Sequence, residues 1–374
     1  MRIHTVETRT ELDEFQRLTS RVHPRDLAVP LLESTVRPWW NGHSPHPEPI
    51  RLLVLRDSAG DVIGRTTVHT DARLDERLGQ PSLLFGATDF ADAAAARFLL
   101  AHLDELGSRS GRRQLFGPVS LLPNQAGGVI TSGFEERGFV DSAWNPEWVP
   151  SVYEDAGFER WGESDTWVVE TSAARPEVDG APSPAEWDAA GVRLDYGAAS
   201  KVDELLPELR TVLNASFAAL PYFTEITAAE LAAATDGLGH LIDERLLPLA
   251  RDAETGELVS FILAVPDITR FVQEIEGRLG VTAGLRLLAS RRRYRSEAIL
   301  VIQGTHPDRQ GRGILTLLSR QLQANLAQAG YRRLRSTYVG RDNPGSTAQF
   351  RRFGGRPLHG YTFYRKPTIP EDDL

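Results

Sequence analysis

The segment Thr171–Pro184 (Thr-Ser-Ala-Ala-Arg-Pro-Glu-Val-Asp-Gly-Ala-Pro-Ser-Pro) divides the 374-residue chain into two stretches that repeat each other. Small and Pro-rich residues cannot bury enough apolar surface to build a core, so this segment reads as a linker. It separates residues 1–170 from residues 185–374. On the amino-terminal side, Arg51-Leu-Leu-Val-Leu-Arg-Asp-Ser-Ala-Gly-Asp-Val-Ile-Gly64 is an apolar run, a turn and a second run. Leu246-Leu-Pro-Leu-Ala-Arg-Asp-Ala-Glu-Thr-Gly-Glu-Leu-Val-Ser260 does the same, and Asp and Gly lie in the turn of both, as a hairpin requires. Further on, Asn145…Tyr153-Glu-Asp-Ala-Gly-Phe158 parallels Asn343…Phe350-Arg-Arg-Phe-Gly-Gly355. Arg56 to Arg251 is a step of 251 − 56 = 195 residues, and Asn145 to Asn343 a step of 343 − 145 = 198. Two matches in nearly one register point to a tandem duplication.

Each copy then has one order of elements: strand-like hairpins, a strand, a helix, a strand, a short helix and a last strand. In the second copy the last five are Ala298–Gln303, Ile314–Ala329, Arg333–Tyr338, Ser346–Phe353 and Tyr361–Arg365. Ile314, Leu317, Leu318, Leu322 and Leu326 recur at helical spacing and define one buried face, and Gly330 stops the helix. Phe271–Arg293 carries a further helical pattern, interrupted by glycines. The expected class is mixed α/β, two domains in tandem, each a central sheet covered by helices.

The segment with chemical character is Val301-Ile-Gln-Gly-Thr-His-Pro-Asp-Arg-Gln-Gly-Arg-Gly-Ile-Leu315. An apolar strand enters a loop with Gly311 and Gly313, and an amphipathic helix follows at once. Glycines let backbone N–H groups approach an anion, and the positive end of the helix dipole favours phosphate. Arg309 and Arg312 add cationic charge beside it. Neither a Walker loop nor a Rossmann turn is present, since Gly-Lys-Ser/Thr and Gly-x-Gly-x-x-Gly are both missing.

This stretch resembles the acetyl-CoA signature of the GNAT N-acyltransferases, Gln/Arg-x-x-Gly-x-Gly/Ala. Gln310-Gly-Arg-Gly313 matches its first four positions, and Leu315 replaces the small residue expected last. A strand, an Asn and a short helix ending in Gly follow in the family's order, with Gly355 where the family has Phe. The resemblance covers about Leu246 to Lys366 by motif and the first copy by architecture. It implies acetyl-CoA or another acyl-CoA as co-substrate, with no metal. Strand-end backbone at Ile302, Gln303, Gly304 and Thr305 would pair with the pantetheine arm. Arg309, Gln310, Gly311, Arg312, Gly313 and Ile314 would cradle the pyrophosphate, and Asn343 would touch the CoA arm.

Transfer to an amine needs a base for the amine and an acid for the leaving thiolate. The family's acid is often a Tyr four residues before the Gly of the short helix; here that residue is Phe350. Tyr361 and Tyr364, with Tyr338 nearby, are the candidates to replace it, and Glu297 is a candidate base through a water. His306, beside Pro307, reads as a turn residue. The chain has no cysteine, so an acyl-cysteine intermediate is excluded and direct attack remains.

In the first copy, Leu83–Arg97 also passes from strand to helix, but without the Gln-x-x-Gly pattern and with Asp89 and Asp92 where phosphate would arrive. Like charges there would repel a pyrophosphate. Residues 1–170 are therefore expected to be a degenerate GNAT-like domain. Its long loop Leu115–Ile130, with Trp144-Asn-Pro-Glu-Trp148, would shape the acceptor pocket.

The expected function is transfer of a small acyl group to the amine of a small molecule. A tRNA-dependent aminoacyl transferase of tandem-GNAT type and a non-catalytic CoA-binding regulator remain as alternatives. The run Arg291, Arg292, Arg293 and Arg295 supports the former, and a net charge of −9 argues against a nucleic-acid partner. The polar start Met1-Arg-Ile-His-Thr-Val-Glu7 and the lack of a long uncharged apolar run lead us to expect a cytoplasmic protein without membrane contact, a monomer or homodimer.

Overall fold

The computed structural model describes residues 1–171, 180–236, 243–278, 280–290, 294 and 296–369. The arginine run 291–295, apart from Tyr294, and most of the 171–184 linker lie outside the described residues. The first half runs β1 (Arg2–Thr5), α1 (Arg9–Val22), α2 (Glu33–Asn41), β2 (Arg51–Arg56), β3 (Val62–His69), α3 (Ala72–Leu78), β4 (Ser82–Phe90), α4 (Ala93–Arg109), β5 (Gln114–Gly117), β6 (Val129–Ser132), α5 (Val149–Asp155) and β7 (Glu159–Glu170). The second half begins with α6 (Pro184–Ala189), β8 (Val192–Tyr196), α7 (Val202–Phe217), α8 (Ala228–Thr235), β9 (Pro248–Asp252) and β10 (Leu258–Pro266). It continues with α9 (Thr269–Glu274), α10 (Val281–Ser290), β11 (Glu297–Thr305), α11 (Ile314–Ala329), β12 (Arg333–Gly340), α12 (Pro344–Arg352) and β13 (Arg356–Pro367).

The strands join in one mixed sheet, ordered β1-β2-β3-β4-β5-β13-β7-β12-β11-β10-β9-β8, with β6 pairing β13. The mixed α/β expectation holds. Its central feature is an exchange of terminal strands. The last strand of the second half, β13, pairs with β5 of the first, Tyr364 opposite Gly117. The last strand of the first half, β7, pairs with β12 of the second, Trp167 opposite Ser336. β7 and β13 then pair with each other, antiparallel, across the middle. The repeat in the sequence predicts that each copy keeps its own last strand, and the structure exchanges them. Alternating burial specifies that a strand has two faces, and leaves its hydrogen-bonding neighbours unspecified.

Side chains follow the same exchange. Trp167 and Val169 of β7 pack with Leu318, Leu322, Leu326, Leu334 and Phe350 in the second core. Tyr364 of β13 packs with Phe85, Leu99, Leu103 and Tyr153 in the first. Phe350 stacks on Trp167 with ring centroids 5.8 Å apart, and Tyr153 on Tyr364 at 4.7 Å. Both stacks are related by one step, 350 − 153 = 197 and 364 − 167 = 197, inside the range of the sequence repeat.

Helix α11 has the expected ends and buries Ile314, Leu318, Leu322 and Leu326, with Leu317 at the margin. The helix expected over Phe271–Arg293 is two helices, α9 and α10. Between them Glu276 and Gly277 take left-handed backbone, φ 51° and 76°. A Cβ on Gly277 would come within 2.2 Å of the Leu31 carbonyl oxygen, so that glycine also allows the first half to dock there.

Candidate functional site: a split between two parallel strands

Two strand pairs among the described residues are parallel, β4 with β5 and β11 with β12, one in each half. In the second half the pairing of β11 with β12 ends at Leu300 and Ser336. β11 stays on β10 as far as Thr305 opposite Ser260, whereas β12 stays on β7 as far as Gly340 opposite Ser164. The strands therefore diverge. Val301 is an extra residue in β11, because Leu300 and Ile302 face the adjacent Ala264 and Leu263. Such a bulge bends the strand and re-aims its backbone. The Thr337 hydroxyl donates to the Val301 carbonyl at 2.7 Å, pinning the point of divergence. Beyond it, the edge of β11 at Ile302, Gln303, Gly304 and Thr305 has no strand partner on the β12 side, leaving backbone groups to be met by a ligand or water.

The loop after β11 leads straight to the start of α11. His306 N–H donates to Val259 O at 2.8 Å, and Gln310 Nε2 to Thr305 O at 3.1 Å, closing the turn. Gly311 and Gly313 both adopt left-handed backbone, φ 75° and 76°. Gly313 is the N-cap, no side chain caps the helix, and no acid occupies its first turn. The first N–H groups of a helix lack internal acceptors, so this end presents unsatisfied donors and a positive dipole end. Arg312 is exposed. Arg309 pairs with Asp252, tying the loop to the β9–β10 turn. Asn343 is exposed and caps α12, its Oδ1 accepting from Ser346 N–H at 3.1 Å.

The equivalent place in the first half is closed. Asp92 caps α4, accepting from Ala95 N–H at 2.8 Å. Asp89, expected from the sequence at the phosphate position, is instead a buried strand residue. It meets Arg65 at 2.6 Å and His23 at 2.8 Å, and accepts the Thr19 hydroxyl at 2.7 Å. The gap beyond the β4–β5 pairing is filled by the chain's own loop. Val119 N–H donates to Phe85 O at 2.8 Å, and a Cβ on Gly86 would lie 1.7 Å from the Val119 carbonyl oxygen. The loop expected to shape an acceptor pocket thus plugs the first split. From there it reaches the second half, where Asn124 Nδ2 donates to Thr224 O at 3.2 Å.

The catalytic candidates do not converge on the split. Tyr364 lies in the first core, where its hydroxyl donates to Glu154 at 3.0 Å. Three strand steps separate β13 from β11, about 14 Å, so the strand exchange carries Tyr364 away from the split. Tyr361 is buried on the same strand and donates to Ala143 O at 2.8 Å. Burial pushes its hydroxyl well above the ordinary tyrosine value. Glu297 begins β11, at the end remote from the loop. Arg335 and Arg137 share it with Asp267, the latter at 3.1 Å, and Arg333 adds a contact at 3.5 Å. Its oxygens are committed to an ion-pair cluster that joins the halves, so Glu297 ties the halves together instead of serving as a free base. Phe350, buried on Trp167, offers no proton.

The tyrosine that borders the split is Tyr338 on β12, two residues past the last pairing with β11. Its ring stands edge-on to Tyr361 with centroids 4.7 Å apart. Its hydroxyl is buried beside the backbone of Gly127 and Ala143 with no hydrogen bond formed, and burial raises its pKa. Sequence could place Tyr338 near the site but had no means of ranking it above Tyr361 and Tyr364.

A splayed pair of parallel strands, a bulge at the point of divergence and an uncapped helix start next to it define the GNAT acyltransferase fold, here in tandem with one split open and one plugged. The chain is similar over 99% of its length to 99% of a tandem GNAT protein from the clavulanic acid biosynthesis pathway, with a TM-score of 0.61 at 16% identity. A GCN5-related N-acetyltransferase from Sphaerobacter thermophilus matches 86% of the chain with 82% of its own, TM-score 0.50 at 12% identity. No family model matches. Among curated proteins, a bacterial ceramide synthase from Caulobacter vibrioides is 25% identical over 293 residues, 73% of this chain and 72% of that protein. Protein YghO from Escherichia coli is 23% identical over 317 residues, 82% of this chain and 80% of its own. No helix among the described residues is long and apolar enough to cross a membrane.

Proposed function

We propose that the protein is an acyl-CoA-dependent N-acyltransferase that works in the split of its second half. The observation that carries this is the juxtaposition of the unpaired β11 edge, Ile302–Thr305, with the uncapped, acid-free start of α11. The pantetheine arm would add to the β11 edge as a strand does, and the pyrophosphate would sit on the N–H groups of Gly311 to Ile314 beside Arg312. The amine would attack the thioester directly, with the acyl oxygen polarised by backbone N–H near the Val301 bulge. Tyr338, on β12 two residues past its pairing with β11, is the tyrosine that would return a proton to the thiolate.

The relative named bacterial ceramide synthase favours a more specific acceptor. A ceramide is the amide of a long-chain amino alcohol, so its synthesis is N-acylation of an amphiphilic amine. Both readings are tested by calorimetric titration with acetyl-CoA, longer acyl-CoAs and free CoA, followed by thiol release with short-chain amines and long-chain amino alcohols. Saturable acyl-CoA binding with amine-dependent CoA release is the expected outcome, with preference for the long-chain amine if the relative is a guide. Binding without release over the whole panel would leave a CoA-binding regulator, and absence of binding to any CoA species would sink the proposal.

A further inference from the structure

At the corner where β3 leads into α3, far along the sheet from the split, three ionisable side chains converge on one point. They are His46, Asp71 and Glu48, and one ligand atom from each lies within 4.8 Å of the others. The His46 side chain is 1% exposed and that of Asp71 0%, while Glu48 is 25% exposed and leaves an approach from solvent. We propose that this corner binds one divalent transition-metal ion, of the Zn²⁺ class, through His46, Asp71 and Glu48.

The hydrogen bonds around the cluster leave an opening of that kind. His46 Nε2 lies 2.8 Å from the Thr70 carbonyl, which only an N–H can satisfy, so the Nδ1 lone pair is left free. That Nδ1 is buried without a partner and lies 3.7 Å from Asp71 Oδ2, too far for a hydrogen bond. Glu48 uses Oε1 to accept from Ala72 N–H at 3.0 Å, and its Oε2, 3.6 Å from His46 Nε2, is also buried without a partner. Two ligands at ~2.1 Å from a tetrahedral ion lie about 3.4 Å apart, close to the His46–Asp71 separation. An imidazole fixed through its other nitrogen by a backbone carbonyl is the usual support for a metal-binding histidine. A proton on Nδ1 would stop short of Asp71 and leave Glu48 Oε2 unmet. A cation on Nδ1 meets Asp71 where it stands and Glu48 once its half-exposed carboxylate swings round the ring edge.

Charge points the same way. Arg73 serves both Asp71, at 2.7 Å, and Glu230 of α8, at 2.8 Å. With Glu48, that is three carboxylates against one guanidinium, an excess of 3 − 1 = 2 carboxylates. Neighbouring Asp75 is already paired with Arg112 at 2.9 Å and contributes no excess. Burying two uncompensated charges is costly, and one divalent ion cancels them. His69 walls the site, its ring edge-on to His46 at 5.2 Å, with Nε2 on Leu121 O at 2.7 Å and Nδ1 buried and unpartnered. An ion here would fasten the 46–48 segment to the start of α3, from which Arg73 crosses to the second half.

The test uses the full-length, untagged chain, purified from metal-replete medium. Its metal content is measured, it is then stripped with chelator, and calorimetry follows addition of ZnCl₂, MnCl₂ or CaCl₂. One Zn²⁺ per chain is expected, with Mn²⁺ weaker and Ca²⁺ weakest because one ligand is imidazole. His46→Gln and Glu48→Gln should each weaken Zn²⁺ binding at least about tenfold while circular dichroism stays unchanged; Asp71 is left alone because it caps α3. A stripped wild type that takes up no Zn²⁺, or variants that bind it as the wild type does, would overturn the proposal. Neither result bears on acyl transfer, since none of these residues lies at the split.

Discussion

Reversing the charge at Arg312 tests the pyrophosphate site most directly. Arg312 is exposed at the start of α11 and the helix has no acid in its first turn, so the substitution leaves the packing untouched. Arg312→Glu changes the local charge by two. Against a pyrophosphate of roughly two negative charges at about 7 Å, with an effective dielectric constant of ~60, the unscreened penalty is about 3 kcal/mol. Counter-ions at about 0.15 M salt remove up to roughly half of it, leaving ~1.5–3 kcal/mol and a dissociation constant about 10- to 150-fold higher. Calorimetry with acetyl-CoA at two salt concentrations reads this, and wild-type affinity should fall more steeply with salt than that of the variant. Asp92→Asn, at the equivalent helix start of the plugged half, should leave CoA affinity unchanged. An Arg312→Glu affinity within about twofold of wild type, or a loss on Asp92→Asn, would refute the placement of the pyrophosphate.

Three further outcomes are expected. Tyr338→Phe should lower kcat roughly 10²-fold with acyl-CoA affinity unchanged; an unaltered kcat would remove Tyr338 from proton transfer. Asp89→Ala strands Arg65 and His23 in the first core and should cost about 3–5 kcal/mol in denaturant unfolding. Burial alone would raise the Asp89 carboxyl, but Arg65 and His23 outweigh it and hold it below its ordinary value. Its contribution is then full above the unfolded pKa of about 3.9 and is lost as pH falls through the lower folded value, so the gap between wild type and variant should narrow only in acid. A gap that is constant with pH would count against the ion pair. Finally, residues 1–170 expressed alone leave β5 and β7 without β13 between them, so they should self-associate through open edges and form a stable one-to-one complex on co-expression with residues 180–374. A monomeric, cooperatively unfolding 1–170 fragment would show that the exchanged strand is dispensable.

The features legible in the sequence are those set within about 20 residues of chain. Helix α11 was bounded by Gly313 and Gly330 because its apolar spacing and its glycine stops are local. The β11 strand and the glycine turn are readable for the same reason, and the repeat by the near-constant offset of its matches. Partner choice was not. Nothing in Glu159–Glu170 or Arg356–Pro367 says which half each strand will join, since both carry a continuous buried run that suits a central strand of either core. The distance of Tyr361 and Tyr364 from the split follows from that one gap, because nearness in sequence to the glycine loop is not nearness in space. Asp89 was misplaced by a different route. An acid at a strand end reads as exposed unless its buried cation is known, and Arg65 and His23 lie 24 and 66 residues away in sequence. The His46 cluster has no ligand spacing to detect, being assembled from a loop and a strand-to-helix corner.

The strand exchange also explains how one split could be lost while the fold was kept. In a duplicated pair with separate sheets, plugging one split with residues 118–127 would leave a domain with no ligand and little tie to its neighbour. Here each core is completed by the other half's last strand, Trp167 in the second and Tyr364 in the first, so the first half is retained through packing whatever it binds. The first half is then free to serve the open one: Asn124 of the plug holds Thr224, while Arg77 and Arg73 of α3 reach Leu220 O and Glu230. All three contacts fall on the segment that follows α7, and the Ser216 side chain near the end of α7 lies against Gly304 of the open β11 edge, where a Cβ would come within 2.9 Å of Ser216 Oγ. The first half thus bears on the wall of the split through α7, and changes in its plug loop should alter acceptor choice before they alter CoA affinity.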